Sequence, residues 1–195
     1  MKVPKIESTY EPLPAATYAA RLYSIVQIGS ETYEYQGKQI TQNKVSLTFE
    51  FPTELREFGE GEKPYVLSKE FTFSMHAKSK LRPFIESWLG DFKNDDDAYD
   101  LDFSDLIGRS GLVSVSHYTK KSGAVGEKIS AIVPLPKGMT CPDPVNTPIL
   151  LSYDNWDKAA FESLSEWMQE RMKKTPEYRS MFEEVDIEEI EVDQN

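Results

Sequence analysis

The sequence predicts a mainly β protein: a small β-barrel of five antiparallel strands, with one helix between strands three and four, and a helix and an acidic tail at the C-terminus. Apolar and polar side chains alternate in five segments, and this period of two is that of a strand. One intervening segment repeats its apolar side chains every three and four residues, which is the period of a helix. The hydrophobic fraction of 39% is enough for a packed core.

The first predicted strand begins at Thr17, after a loose N-terminal arm (residues 1–15) that contains three prolines and little periodicity. Residues 29–38 are polar, contain two glycines and predict a loop after this strand. Alternation places the following side chains on the buried face of the strand: Tyr18, Ala20, Leu22, Ser24, Val26 and Ile28.

The second and third predicted strands show the clearest alternation. They run from Val45 to Phe51 and from Tyr65 to Met75, with a loop rich in Glu, Gly and Pro over residues 52–64. Four phenylalanines share the buried parity of these strands. We assign these rings to the core rather than to base stacking: Phe49, Phe51, Phe71 and Phe73.

The period changes over residues 78–89, which predicts an amphipathic helix that Gly90 ends. An acidic loop (residues 91–102) leads to the fourth strand, Leu112 to Tyr118, with Val113 and Val115 facing inward. A basic hairpin then leads to the fifth strand, residues 128–135. One side of this strand carries Ile129, Ala131, Val133 and Leu135.

Prolines between residues 134 and 148 predict an extended connector. A helix follows over residues 154–172, with Asp154 as its cap, and Thr175 and Pro176 predict the start of a further short helix. The apolar stripe of the longer helix is Phe161, Leu164, Trp167, Met168 and Met172.

Three strands, a helix and two strands is the element order of the OB fold. We therefore divide the chain into an N-terminal arm (1–15), an OB-like barrel (16–140), a proline-rich connector with C-terminal helices (141–182) and an acidic disordered tail (183–195). Other small barrels and α+β sheets share this order, and the sequence alone does not show that the barrel closes.

Residue types that carry catalysis or bind metals are scarce. The chain has two histidines, His76 and His117, one cysteine, Cys141, and no glycine-rich phosphate loop. The aspartates between residues 95 and 102 lack the spacing of a calcium-binding loop. We therefore expect a non-enzymatic protein with no catalytic residue, no metal site and no cofactor.

Hydropathy predicts that the protein does not enter a membrane. No apolar segment has the roughly 20 residues that a membrane-spanning helix needs, and the N-terminus has no apolar signal segment. We therefore expect a cytoplasmic protein.

The net charge of −11 is unevenly distributed along the chain. Residues 141–195 carry five basic and fourteen acidic side chains, against 17 and 19 in residues 1–140. Such a block of like charge is typical of a disordered tail that binds partners, and a purely solubilising tail is the alternative. The acids at the end of the chain are Glu183, Glu184, Asp186, Glu188, Glu189, Glu191 and Asp193.

Basic and aromatic side chains occur where an OB fold binds oligonucleotides. The loops between strands one and two and between strands four and five flank the groove of this fold, and single-strand binders combine cations for phosphates with aromatic faces for bases. Lysine is also the ordinary surface residue, and an edge tyrosine often only covers a barrel. The candidates are Arg21, Tyr23, Tyr33, Tyr35, Lys38, Lys44, Lys69, Lys78, Lys80, Arg82, Tyr118, Lys120, Lys121 and Lys128.

Five segments of the chain carry a family resemblance. They are Leu13 to Leu22, Lys44 to Phe51, Ser68 to Arg82, Phe103 to Gly108 and Pro134 to Met139. These segments resemble a group of bacteriophage proteins encoded among replication genes, over about residues 13–150. The resemblance implies an OB-fold, single-stranded-DNA-binding protein of the host cell cytoplasm, and the acidic C-terminus is similar in style to the tails of phage and bacterial single-strand-binding proteins.

The leading hypothesis is that the protein binds single-stranded DNA without marked sequence preference during phage-type DNA replication or recombination. Its acidic tail would recruit other replication or recombination proteins, and would compete with DNA for the basic groove at low salt. The alternative is a protein-interaction adaptor that uses the barrel and the acidic C-terminus, and a nuclease is the least favoured reading. A homo-oligomer is possible because the helix over residues 154–172 can pack on its own barrel or on a neighbour's.

Overall fold

The computed structural model describes residues 11–57 and 61–182, and every structural statement below concerns these residues. Within them the chain is mainly β, as the sequence predicts, with several short helices. The strands are β1 (Thr17–Tyr35), β2 (Lys38–Glu57), β3 (Glu62–Thr72), β4 (Ser110–Thr119), β5 (Val125–Val133) and β6 (Ile149–Leu151). The helices are α1 (Leu81–Leu89), α2 (Asp95–Tyr99), α3 (Lys158–Ser163), α4 (Glu166–Met172) and α5 (Pro176–Phe182), with a 3-10 turn at Phe103–Leu106.

The six described strands form one sheet. Its main path runs β3-β2-β1-β4-β5 with antiparallel neighbours, and the short β6 pairs in parallel with β1. No ladder joins β3 to β5 in the described part of the chain, so the sheet is open and the predicted closed barrel is not confirmed. The Lys69 ammonium of β3 donates across this opening to the Ile129 carbonyl of β5, 2.7 Å away.

The first core lies between the sheet and α1. Inward side chains of β1 to β5 pack against α1, whose buried residues include Ile85 and Trp88. The helix predicted over residues 78–89 is confirmed as α1, and Gly90 follows it with a positive φ of 96°. The rings of Phe49 and Trp88 pack edge to face, with centroids 5.7 Å apart.

A second core joins the C-terminal helices to the outer side of β1. Val26 and Ile28 of β1 pack there with Leu151 of β6, Phe161 of α3 and Met172 of α4. The sequence gives no sign of β6, because three residues are too few to show a period. The proline-rich connector is fixed to β2 by the buried Glu50 carboxylate. This carboxylate accepts hydrogen bonds from the backbone N–H groups of Val145 and Asn146 in the connector and from the Asn146 side chain.

A β-bulge in β1 explains why one strand contributes to both cores. The register with β2 shifts between Leu22 and Ser24, and Tyr23 is the extra residue. After this bulge Ile25 enters the first core, whereas Val26 faces the second. The prediction of one continuous buried face from Tyr18 to Ile28 is therefore wrong, because alternation changes phase at a bulge.

A bulge in β5 corrects the predicted face of that strand. The register with β4 shifts between Ser114 and Val115, which leaves Ser130 as the extra residue. Ile132 is consequently buried with Ile129, while Val133, predicted to face inward, is 44% exposed.

The predicted loop over residues 29–38 is instead a strand hairpin. β1 continues to Tyr35 and β2 begins at Lys38, so Gln36 and Gly37 alone form the turn. Their φ angles are 51° and 74°, the pattern of a two-residue turn that matches the twist of the strands. We call residues 29–44 the hairpin arm. The hairpin arm has polar side chains on both faces, so it lacks the apolar alternation by which a strand is recognised.

The predicted helix over residues 154–172 is two helices, α3 and α4. Asp157, not Asp154, caps the first through Ala159 and Ala160, and Ser165 caps the second through the backbone N–H of Met168. Leu164 between them is extended, with ψ of 157°. The short polar side chains of Asp157 and Ser165 accept hydrogen bonds from nearby backbone N–H groups. They therefore favour the start of a new helix over one continuous helix. The predicted further helix after Thr175 is confirmed as α5.

The last described residues of the expected N-terminal arm are anchored to the sheet. Leu13 is buried, its N–H donates to Glu127 of β5, and its carbonyl oxygen lies 2.8 Å from His117 Nε2 of β4. Tyr65 of β3 donates to the carbonyl of Glu11. This segment therefore contacts both edges of the open sheet. Residues 1–10 and the acidic tail, residues 183–195, lie outside the described residues.

Candidate nucleic-acid interface

A groove with a volume of about 1100 Å³ opens between the hairpin arm, β3, α1 and β5. Four of the predicted lysines line it, together with Tyr33: Lys44, Lys69, Lys78 and Lys80. We call this surface the lysine groove. Its remaining wall is mostly polar and includes Gln42, Thr72, His76, Ser79, Ser87 and Ser130.

Lys69 is at the centre of the lysine groove, where β3 faces β5. Its ammonium lies 5.3 Å from the centroid of the Phe84 ring and 5.7 Å from that of Phe71. Burial, and then the positive charges of Lys128 and Lys80, lower the pKa of Lys69. The side chain therefore lies among other cations without a carboxylate partner in the described structure, an environment that an added anion would stabilise.

Lys44 and Tyr33 form the wall that the hairpin arm contributes. The Lys44 ammonium lies 5.7 Å from the centroid of the Tyr33 ring and donates to Gln42 Oε1 at 2.6 Å. Tyr33 is 41% exposed and lines the groove. The hairpin arm thus brings a cation and an aromatic ring together at the groove.

Lys78 and Lys80 lie in the short segment between β3 and α1. His76 shapes this segment, because its Nδ1 accepts from the Lys78 N–H and its carbonyl accepts from the Ser79 N–H. Both lysines are exposed. The first turn of α1 has no acidic residue, and a helix N-terminus carries partial positive charge, so this end of the groove is electropositive.

Glu70 is the only acid among the described residues that line the lysine groove. Arg171 of α4 binds its carboxylate with both terminal nitrogens, at 2.6 and 2.9 Å. The same guanidinium binds Glu31 of the hairpin arm, at 2.6 and 2.9 Å, and holds the pKa of Glu31 below its usual range. No described carboxylate forms an ion pair with the four lysines of the groove.

Other predicted residues lie on hairpin turns outside the lysine groove. Tyr35 and Lys38 flank the turn of the hairpin arm, and Lys120 and Lys121 are exposed in the turn between β4 and β5. The pair formed by Tyr118 and Lys128 lies nearer to the lysine groove, since the positive charge of Lys128 helps to lower the pKa of Lys69. The Lys128 ammonium lies 5.9 Å from the Tyr118 ring centroid.

Two predicted arginines have structural partners instead. Arg21 donates to backbone carbonyls, including those of Gly108 and Pro142, and so fixes the connector against β1. Arg82 is buried and binds Glu86 and, at 2.5 Å, Asp95. Neither lines the lysine groove. The partners of Arg21 are distant in the sequence, so no local pattern reveals its role, whereas Glu86 lies four residues after Arg82 on α1 and only the contact with Asp95 depends on the fold.

Tyr23 also lies away from the lysine groove. It is the extra residue of the bulge in β1 and is half-buried. Burial, and to a lesser extent the Glu50 carboxylate, raises the pKa of its phenol.

Comparison with known proteins gives no family assignment: no protein-family model matches the chain, and neither does any curated protein sequence. Within residues 11–57 and 61–182, no group of three His, Cys, Asp or Glu side chains is placed to hold a metal ion. No helix in the same residues is long and apolar enough to cross a membrane.

Proposed function

We propose that this protein binds single-stranded DNA in the lysine groove, as a non-enzymatic coat on the strand. One observation carries the proposal: four lysines converge on one groove beside an exposed tyrosine, and its one described acid is bound by Arg171. A surface that concentrates unpaired cations beside aromatic rings suits a polyanion with exposed bases.

The architecture supports an OB-type barrel for this function. The strand path β3-β2-β1-β4-β5, with α1 between β3 and β4, is the order of an OB barrel opened between β3 and β5. The Lys69 side chain and residues 11–13 contact both sides of that opening. In this fold oligonucleotides bind near the loops that correspond here to the hairpin arm and the β4–β5 turn.

The mechanism divides phosphate binding from base stacking. Lys44, Lys78, Lys80 and, at the floor of the groove, Lys69 would contact phosphates, while Tyr33 would stack on a base. Neither interaction distinguishes one base from another, so the sequence preference would be weak. Duplex DNA would bind less well, because its bases are already stacked and paired.

The cellular role that fits this activity is phage-type DNA replication or recombination, which the resemblance of residues 13–150 supports. The acidic tail, residues 183–195, would recruit basic surfaces of other replication or recombination proteins and compete with DNA at low salt. Both roles belong to the same proposal, because a strand that enters the groove would release the tail for partners.

Fluorescence anisotropy of a labelled oligo-dT with the full chain tests the proposal, with duplex DNA as the comparison. Each phosphate contact contributes about −0.7 to the slope of log affinity against log salt, so four lysines give about −2.8. Affinity should then fall roughly 50-fold between 50 and 200 mM salt. Replacing two exposed lysines, Lys78→Gln with Lys80→Gln, should reduce the slope to about −1.4.

The matched control changes two exposed lysines outside the groove, Lys137→Gln with Lys158→Gln, and should leave the slope unchanged. Absence of oligo-dT binding at low salt, both by the full chain and by residues 1–182, would overturn the proposal and favour the adaptor. If the control variant lost as much of the salt slope as the groove variant, the overall positive charge and not the lysine groove would account for binding.

A further inference from the structure

Trp167 is an exposed tryptophan that the sequence pattern assigns to a buried stripe. It is 64% exposed, because Ser165 restarts the helix and changes the phase of the residues that follow. No ring of another described residue packs against it, whereas Trp156 contacts four aromatic rings in the second core. A tryptophan that remains open to solvent on a well-packed helical unit is a candidate binding residue.

Arg171 joins Trp167 to the lysine groove. Its guanidinium carbon lies 5.1 Å from the Trp167 ring centroid, and its Nη1 lies 2.6 Å from Glu70, which lines the groove. Bonds to Glu70 and Glu31 fix the guanidinium in place. Only the Arg171 side chain therefore separates the Trp167 indole from Glu70 in the groove wall. The two ion pairs hold this arginine side chain in one orientation.

The charge around this contact suits bases better than phosphates. The donors of Arg171 are already bound to two carboxylates, and Lys44 lies near enough to help lower the pKa of Glu31. Arg171 thus lies between two acids, so the surface between the groove and Trp167 offers no free cation to a phosphate. A base can stack on the open indole there while the phosphates remain with the lysines.

We propose that Trp167 is a stacking platform that extends the lysine groove, so that a strand leaving the groove passes Glu70 and Arg171 and places a base on the indole. The inference rests on the proposed function and adds a residue to it. The occupant follows from continuity with the groove, because Arg171 contacts both the Trp167 ring and Glu70, which lines the groove.

Intrinsic fluorescence of the full chain tests the platform. Unlabelled oligo-dT should quench the emission of Trp167, while Trp88, which is 3% exposed, should not respond. Trp167→Phe should remove the quenching and keep most of the affinity, because phenylalanine still stacks. Trp167→Ala should weaken binding of a long oligo-dT about tenfold and leave the shortest oligo-dT that binds unaffected.

The matched control is Tyr99→Ala, since Tyr99 is 58% exposed and does not line the groove. It should change neither quenching nor affinity. If the wild type binds oligo-dT with the expected salt slope but Trp167→Ala binds long oligo-dT equally well, the platform is refuted and the proposed function stands. If the wild type binds no oligo-dT, both fail.

Discussion

The Arg171 ion pairs should determine how firmly the C-terminal helices hold the hairpin arm. Replacing Arg171 by methionine keeps an unbranched apolar side chain beside Trp167 but leaves Glu31 and Glu70 without their partner. The two carboxylates come from β1 and β3, and both contact one guanidinium that is 18% exposed. The variant should therefore be less stable at neutral pH, with the loss centred on these contacts.

The size of the loss follows from the exposure of each pair. The pair with Glu31, which is 31% exposed, contributes roughly 1.5 kcal/mol as charged hydrogen bonds. The pair with Glu70, at 38% exposure, contributes only about 0.5 kcal/mol because water screens it. We expect Arg171→Met to lower the free energy of unfolding by about 2 kcal/mol, and the Tm by about 6 °C.

The loss should depend on pH in a defined direction. Arg171 lowers the folded-state pKa of Glu31, so this pair stabilises the protein fully above the unfolded-state pKa of that carboxyl. The stabilisation disappears as pH falls through the lowered folded-state pKa, where Glu31 becomes protonated. The difference between wild type and Arg171→Met should therefore be constant from pH 6 to 8 and shrink below about pH 4.5.

Urea unfolding of both proteins, followed by circular dichroism across this pH range, measures the difference. Lys173→Met is the matched control at the C-terminal cap of the same helix, because its pair with Glu170 is exposed and its loss should change the stability little. Wild-type stability for Arg171→Met at pH 7, or a difference that persists unchanged at pH 3, would refute the reasoning.

Two further predictions concern the contact between β1 and the C-terminal helices. Gly29→Ala should destabilise the protein by about 3 kcal/mol, because φ is +107° and the new Cβ would lie 2.7 Å from Thr175 Oγ1. In the same urea assay Gly37→Ala, with φ of +74° and no atom within 4 Å, should cost only about 1 kcal/mol, and equal costs would contradict the contact. Burial raises the pKa of Tyr153 to about 12, so absorbance titration should show a late step that Tyr153→Phe removes. This phenol should stabilise the fold below the unfolded-state pKa of about 10, with the gain lost as pH rises through 12, and a titration unaltered by the substitution would refute its assignment.

Periodicity predicts the elements whose one face is buried over several residues. The second and third strands, α1 and β4 follow from their patterns, since burial on one side imposes a regular repeat. Patterns fail where the local geometry changes phase, as at Tyr23 in β1 and Ser130 in β5. They also fail for the hairpin arm, which has no buried face, and for β6, which is too short to repeat.

The candidate site is predictable in its cations but not in their environment. The sequence makes Lys44, Lys69, Lys78 and Lys80 candidates, the first two on predicted strands and the other two at the start of the predicted helix. The sequence does not show that Arg171 neutralises Glu70, since 101 residues separate the two. It likewise gives no sign that Arg82 is buried, because isolated lysines and arginines look alike whether they are exposed or paired.

The C-terminal helices control the groove through the base of the hairpin arm. Three successive residues there have a partner in these helices: Gly29 lies against Thr175, Ser30 donates to Glu177, and Glu31 binds Arg171. Beyond this point β1 and β2 pair with each other and with no other described strand until Lys44, and they carry Tyr33 to the lysine groove. Because the base of the arm is fixed from one side by α4 and α5, the groove wall is already in position before a strand binds, which lowers the entropic cost of binding. The C-terminal helices are therefore part of the proposed binding site and not an appendage to the sheet.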